Sequence, residues 1–151
     1  MFQIQPVRSK DLQRQLAEAV GAPYYPETYA FYAVELTDDA AAVTALLGLC
    51  QFTYAPEESV IRSVKPAPGA EDDEAITVMV RAVMSFLNHA EIPYVFISPD
   101  AAEPERIRRW GFRPLKSDPE GLPGIDLGKF YRSPCHYNGA EGRENENSDR
   151  A

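Results

Sequence analysis

Hydrophobic positions change period several times along this chain, and each change marks an element. Phe2-Gln3-Ile4-Gln5 alternates apolar and polar side chains, as a strand with one buried face does, and Pro6 closes it. Ser9 is placed to cap a helix running to about Val20, with Leu12, Leu16, Ala19 and Val20 on one face and Gly21 as its stop. Residues 29–36 read as an aromatic-rich strand, followed by a turn at Thr37-Asp38-Asp39. Residues 45–54 read as the next strand, antiparallel to the first because the connection is short. Gly48 inside that run predicts a bulge or a close backbone approach. Residues 59–64 make the third strand of this meander, ended by Pro66 and Pro68.

The period then lengthens. Ile76, Met79, Val80, Val83, Phe86, Leu87 and Ala90 fall at helical spacing, and Val78, Ala82 and Met84 widen the stripe. A largely buried helix over residues 73–90 follows, ended by Glu91-Ile92-Pro93. Residues 94–98 are nearly all apolar, the pattern of a core strand covered on both faces. Asp100 is placed to cap a short helix over residues 103–109. Residues 110–115 predict another strand and residues 124–127 the last one. The predicted class is α/β: a twisted mixed sheet flanked by helices, with the long helix crossing over between neighbouring strands.

Composition narrows the function. Residues 138–151 contain no large apolar side chain, so 137–151 is expected to be a disordered acidic tail and 1–136 a single domain. With 23 acidic against 15 basic residues the net charge is −8, which argues against nucleic acid as a partner. The tail holds only four of the acids, offset by two arginines, so most of that charge sits on the domain. No apolar run approaches the ~18 residues needed to cross a bilayer. The N-terminus has no signal-peptide pattern, and a cytoplasmic protein without a membrane partner is expected. Cys50 and Cys135 make no disulfide framework, and Cys135-His136 lacks partners at metal-ligand spacing, so no metal is expected. Cys50 reads as a small buried hydrophobe, and His89 as a residue complementing the C-terminal end of the long helix.

Three local features belong with this order of elements. Val64-Lys65-Pro66 leaves the third meander strand, residues 66–73 form a loop into the long helix, and Ile107-Arg108-Arg109-Trp110-Gly111-Phe112 ends in Gly-Phe. Together they resemble the GNAT fold of acyl-CoA-dependent N-acyltransferases, which ends its central strand with V-x-P and carries a Y-x-x-x-G-F signature. The resemblance implies acetyl-CoA or another acyl-CoA as cofactor, and an amine on a small molecule or peptide as acceptor. It places Val64, Gly69 and Ala70 beside the cofactor, with Asp100 where the family often has a cofactor-contacting asparagine. It further implies direct attack of a neutral amine on the thioester, a backbone N–H of the central strand polarising the carbonyl.

Several positions depart from the family's pattern. The loop Pro66-Ala67-Pro68-Gly69-Ala70 runs into four consecutive acids, Glu71, Asp72, Asp73 and Glu74, where the family has R/Q-x-x-G-x-G/A. Acids in a first helical turn favour the macrodipole by about 0.3–1 kcal/mol each, and they repel a pyrophosphate. Ile107 stands where many members have a tyrosine that protonates the departing thiolate. Glu57 and Glu58, just before the central strand, are the nearest carboxylates for a general base, though glutamates in such a turn are more often simply solvated. Tyr25, Tyr29 and Tyr32, with Tyr24, lie where members shape the acceptor pocket, though such a cluster is more often core packing and rim. Arg106, Arg108, Arg109 and Arg113 form the one basic cluster: an exposed helix face balanced by acids, or, with Arg106 and Arg109 at the cofactor cleft, a site for the phosphates of a CoA. Two functions stay open, an acyltransferase and a binding or protein-interaction module that has lost the chemistry. A homodimer is among the open partners.

Overall fold

A computed structural model describes residues 1–39, 42–70 and 72–132. Glu71, Cys135, His136 and the predicted tail lie outside the described residues. The elements in order are β1 (Phe2–Pro6), α1 (Lys10–Val20), β2 (Tyr29–Leu36), β3 (Val43–Phe52), β4 (Glu58–Pro66), α2 (Asp73–His89), β5 (Tyr94–Ile97), α3 (Pro104–Arg109), β6 (Arg113–Leu115), β7 (Asp118–Asp126) and α4 (Leu127–Arg132). The strands form one mixed sheet in the order β1-β2-β3-β4-β5-β7-β6. β1 to β4 are an antiparallel meander, β4 and β5 run parallel with α2 as the crossover, and β7 returns antiparallel to β5.

The meander and the first helix follow the local signals. Ser9 accepts the Leu12 N–H at 3.1 Å, and Gly21 ends α1 at φ 79°, where its own N–H reaches the Glu18 carbonyl. The α1 face is turned from the expected one: Gln13, Ala17 and Val20 are buried and Ala19 is exposed. Gln13 goes inward because its amide finds polar partners there, the Thr28 hydroxyl at 2.8 Å and the Gln51 amide oxygen at 3.0 Å.

The two sheet faces carry different covers. Met79, Val80, Val83, Met84 and Leu87 of α2 pack with Ala33, Cys50, Phe52, Ile61 and Val95 on one face. Ala17 and Val20 of α1 pack with Ala30 and Leu49 on the other. Gly48 fulfils both readings of its position. The register shifts there, Ala33 pairing with Gly48 and Val34 with Leu46, and a Cβ on Gly48 would meet Ile76 Cδ1 at 2.5 Å.

The second half differs from expectation in four places. β5 is open on one face, with Tyr94 exposed and its ring stacked on Phe96, since α2 covers only the other side. Asp100 lies in the turn after β5 and does not cap α3; Glu103 occupies the cap position, without a side-chain bond, and Pro104 starts the helix. Trp110, Gly111 and Phe112 terminate α3 instead of starting a strand. Gly111 takes φ 105° and the Phe112 N–H returns to the Ile107 carbonyl, so the alternating Trp and Phe are buried by a helix stop and β6 begins only at Arg113. Finally, β7 spans Asp118–Asp126, and Leu127 opens α4, where Asp126 Oδ1 accepts the Lys129 N–H at 3.1 Å. Among the described residues no helix is long and apolar enough to cross a membrane, and no group of three or more His, Cys, Asp or Glu is placed to hold a metal.

Candidate functional site

β4 and β5 pair only from Glu58–Tyr94 to Ile61–Ile97. β4 continues to Pro66, while β5 ends and the chain turns away through Asp100. The carboxyl ends of a parallel pair therefore part, as they do at the ligand crevices of open α/β sheets. A cavity of about 760 Å³ fills the gap. Its walls are the end of β4 (Val64, Lys65, Pro66), the turn Ala67-Pro68-Gly69, Asp72 and Ile76 at the start of α2, the segment from Asp100 to Glu103 with Arg106, and Val20-Gly21 at the end of α1.

Several backbone groups in and beside its walls are already engaged. The Val64 N–H donates to the Ala101 carbonyl at 2.9 Å, and the Ser98 N–H donates to Ile61 O at 2.9 Å. Beyond β4 the Ala67 N–H bonds Leu47 O at 2.8 Å, and the Ala70 N–H closes a turn onto Ala67 O at 3.0 Å. Pro68 followed by Gly69 at φ 79° is the residue pair a type II turn demands. A Cβ on Gly69 would meet nothing within 4 Å, so glycine is needed there for backbone geometry and not for close approach to its neighbours.

The acids at the start of α2 have specific partners. Asp72 accepts the Ala75 N–H at 3.0 Å and so caps the helix. Asp73 reaches across to α3, one carboxylate oxygen 3.2 Å from Arg106 Nη2 and the other 2.9 Å from Arg109 Nη2. Arg106 and Arg109 are three residues apart, which puts them on one face of α3. Trp110 ties the same two helices from below: its ring N–H donates to Thr77 Oγ1 at 3.3 Å, while Arg81 donates to the Trp110 carbonyl at 2.9 Å.

Val64, Gly69, Asp100 and Arg106 are thus gathered around one cavity. Ala70 lies beside it, packed against both hydrophobic clusters, and Arg109 joins through Asp73. Glu57 and Glu58 are not part of this gathering. They are exposed at the start of β4, roughly 20 Å along the strand from Lys65. The three tyrosines do not converge either. Tyr29 belongs to an exposed aromatic group with Tyr54 and Phe86, whose ring centroids are 5.5 and 5.6 Å apart along that chain. Tyr32 points to the opposite face of β2, its hydroxyl donating to Gln5 Oε1 at 2.9 Å, and Tyr25 lies under the Arg62 guanidinium at 4.4 Å.

Two further groups bear on the chemistry. Ile107 is buried in the core, so no proton donor stands at that position. Burial pushes the Cys50 thiol far up from its ordinary range, which removes it as a nucleophile. Lys65, Glu103 and the Asp73 bridge are members of the site that periodicity did not single out. The spacing of Arg106 and Arg109 was the available signal for the last.

No family model matches the chain, and no curated protein matches it in sequence. Its fold does have counterparts among solved structures. Tetrahymena GCN5 superimposes with a TM-score of 0.61 at 11% identity, covering 84% of this chain and 96% of that one. A putative GNAT-family acetyltransferase from Desulfovibrio desulfuricans gives 0.58 at 12% identity over 84% of this chain and 99% of that chain. The ribosomal-protein-S18-alanine N-acetyltransferase of Escherichia coli gives 0.55 at 11% identity, over 83% and 90% respectively. Likeness at such identities speaks for architecture alone, and on that evidence the chain has the fold of the GNAT acetyltransferases in a divergent form.

Proposed function

We propose that the chain is an acyltransferase of the GNAT type, moving an acyl group from acetyl-CoA or another acyl-CoA to an amine on a small molecule or peptide. One observation carries this reading: on a fold shared with acetyltransferases, the sheet opens into a ligand-sized cavity at the carboxyl ends of its parallel pair. The lining suits the thioester arm of the cofactor. Val20, Val64, Ala67, Ile76 and Ala101 offer apolar wall to a neutral, flexible chain, and Lys65 and Arg106 are the cations among those walls.

Acyl-CoA, when bound, supplies an activated thioester carbonyl to an attacking amine. The chain's own contribution is to hold and orient, which replaces a bimolecular encounter by confinement in one cleft. Among the described walls Asp100 and Glu103 are carboxylates able to accept a proton, while Asp72 caps α2. Ile107 donates none, and the Val64 N–H reaches a ligand only when its bond to Ala101 opens. Calorimetric titration of acetyl-CoA and longer acyl-CoAs into the protein tests the reading. Saturable binding, followed by thiol release with an amine panel, is the expected result; no heat at millimolar ligand ends it.

The Val64–Ala101 bond favours a second reading, a binding or interaction module on the same fold. That reading expects the titration to stay flat, or binding without thiol release.

A further inference from the structure

We infer that the Asp73 carboxylate is a built-in stand-in for a ligand phosphate: it holds the Arg106–Arg109 pair that an anionic cofactor would claim, and an arriving phosphate displaces it. The inference rests on the acyl-CoA reading above and adds the control of that same cleft. It starts from the way the charges are paired. Both oxygens of one carboxylate are spent on two guanidinium groups, at 3.2 and 2.9 Å, from a helix that begins about thirty residues further along the chain. Two cations around one anion is the arrangement by which arginines grip a phosphate.

Position and exposure make the exchange feasible. Arg106 lines the cavity, and Arg109 adjoins it through the carboxylate the two share. Asp73 is 54% exposed, Arg109 49% and Arg106 27%, so water and ions reach the bridge from outside. An ion pair that open is worth only ~0–1 kcal/mol, little for a dianion to overcome. Among the cleft's described walls nothing else offers comparable positive charge. Lys65 is the one other cation among its described walls, and Asp72, Asp100 and Glu103 are carboxylates. While Asp73 holds the arginines, the cleft repels a phosphate; once they are released, it has a site for one.

The test compares three probes on the full chain: acetyl-CoA, adenosine 3′,5′-diphosphate, and acetyl-pantetheine, which keeps the thioester arm without phosphates. Asp73→Asn removes the charge and keeps the shape, and is expected to tighten the first two probes by about fivefold. Acetyl-pantetheine should be unmoved. Arg109→Ala should weaken the two phosphate-bearing probes and leave acetyl-pantetheine alone, and both effects should fade as salt is raised. Asp73→Ser is a second substitution should the first prove unstable. Equal affinities of wild type and both Asp73 variants for acetyl-CoA would overturn the stand-in role while the acyl-CoA reading stood. A gain shared by acetyl-pantetheine would overturn it too, since the effect would not run through phosphate. Failure of every probe on every variant would remove the acyl-CoA reading, and the role of Asp73 with it.

Discussion

Gly48 lies directly beneath Ile76, so close that a Cβ there would sit 2.5 Å from the Ile76 Cδ1 atom. The same Cβ would also stand 3.2 Å from the Lys65 carbonyl oxygen. Ile76 is in the first turns of α2 and Lys65 is near the end of β4, and both line the cleft. The glycine therefore sets how deeply the start of α2 settles against the sheet, and with it the width of the cavity.

Gly48→Ala is expected to cost about 1–3 kcal/mol, because the Ile76 Cδ1 methyl must move aside and the Lys65 carbonyl, 3.2 Å from the new Cβ, is backbone that yields little. Urea unfolding measures the loss. Adding Ile76→Val should recover part of it, so the double-mutant cycle is expected to show coupling. Additive costs would mean that the two residues do not share the contact.

The loop between α1 and β2 is held by a buried amide. Gln51 accepts the Tyr25 N–H at 3.1 Å and donates to the Pro23 carbonyl at 2.8 Å, while Gln13 joins it to Thr28. The Lys10 ammonium adds bonds to Gln13 Oε1, at 3.2 Å, and to the Thr28 carbonyl. Gln51→Leu keeps the volume and strands both backbone groups, a loss of about 2–3 kcal/mol. Faster amide exchange confined to residues 23–28 would accompany it. A uniform rise in exchange across the chain would contradict a local clamp.

These two sites mark what periodicity reads and what it does not. α2 is legible because Met79, Val83 and Leu87 recur on one face and are all fully buried. Gly48 is legible because an unsubstituted residue inside an apolar strand demands a reason. Gln13 and Gln51 are not, since a buried amide looks polar in sequence and its partners come from three separate segments. The turn of Trp110 and Phe112 misleads in the opposite direction: both are buried, but by a helix stop and not by a strand. α4 escapes because it is six residues long and contains a glycine. In the cleft, residue types were legible and pairings were not, for nothing local joins Asp73 to Arg109.

Arg81 links three elements and should report on their docking. It donates to the Trp110 carbonyl at 2.9 Å, and its guanidinium lies 5.2 Å from the Phe130 ring centroid on α4. Burial lowers its pKa from the ordinary value, with Tyr131 acting in the opposite sense. The Arg81→Met variant keeps much of the packing and loses the charge-assisted bond, at about 1.5–3 kcal/mol. Amide exchange in residues 127–132 is expected to quicken most. Unchanged protection there would show that α4 is held by its apolar contacts alone.

Ile107 offers a test of whether a general acid is missing or merely replaced. Ile107, where the resemblance to GNAT enzymes would put a tyrosine, is a side chain packed into the core, only 6% exposed. Ile107→Tyr would need to house a ring and a hydroxyl in a filled space, which is expected to cost about 1–3 kcal/mol. The phenol would lie among Trp110, Phe112 and their neighbours, away from the cavity walls. Thiol release from acetyl-CoA should therefore not rise in this variant, and the melting temperature should fall. A rise in thiol release, with a pH profile following ionisation of a phenol, would show that this position faces the cleft and that the acid alone was lost.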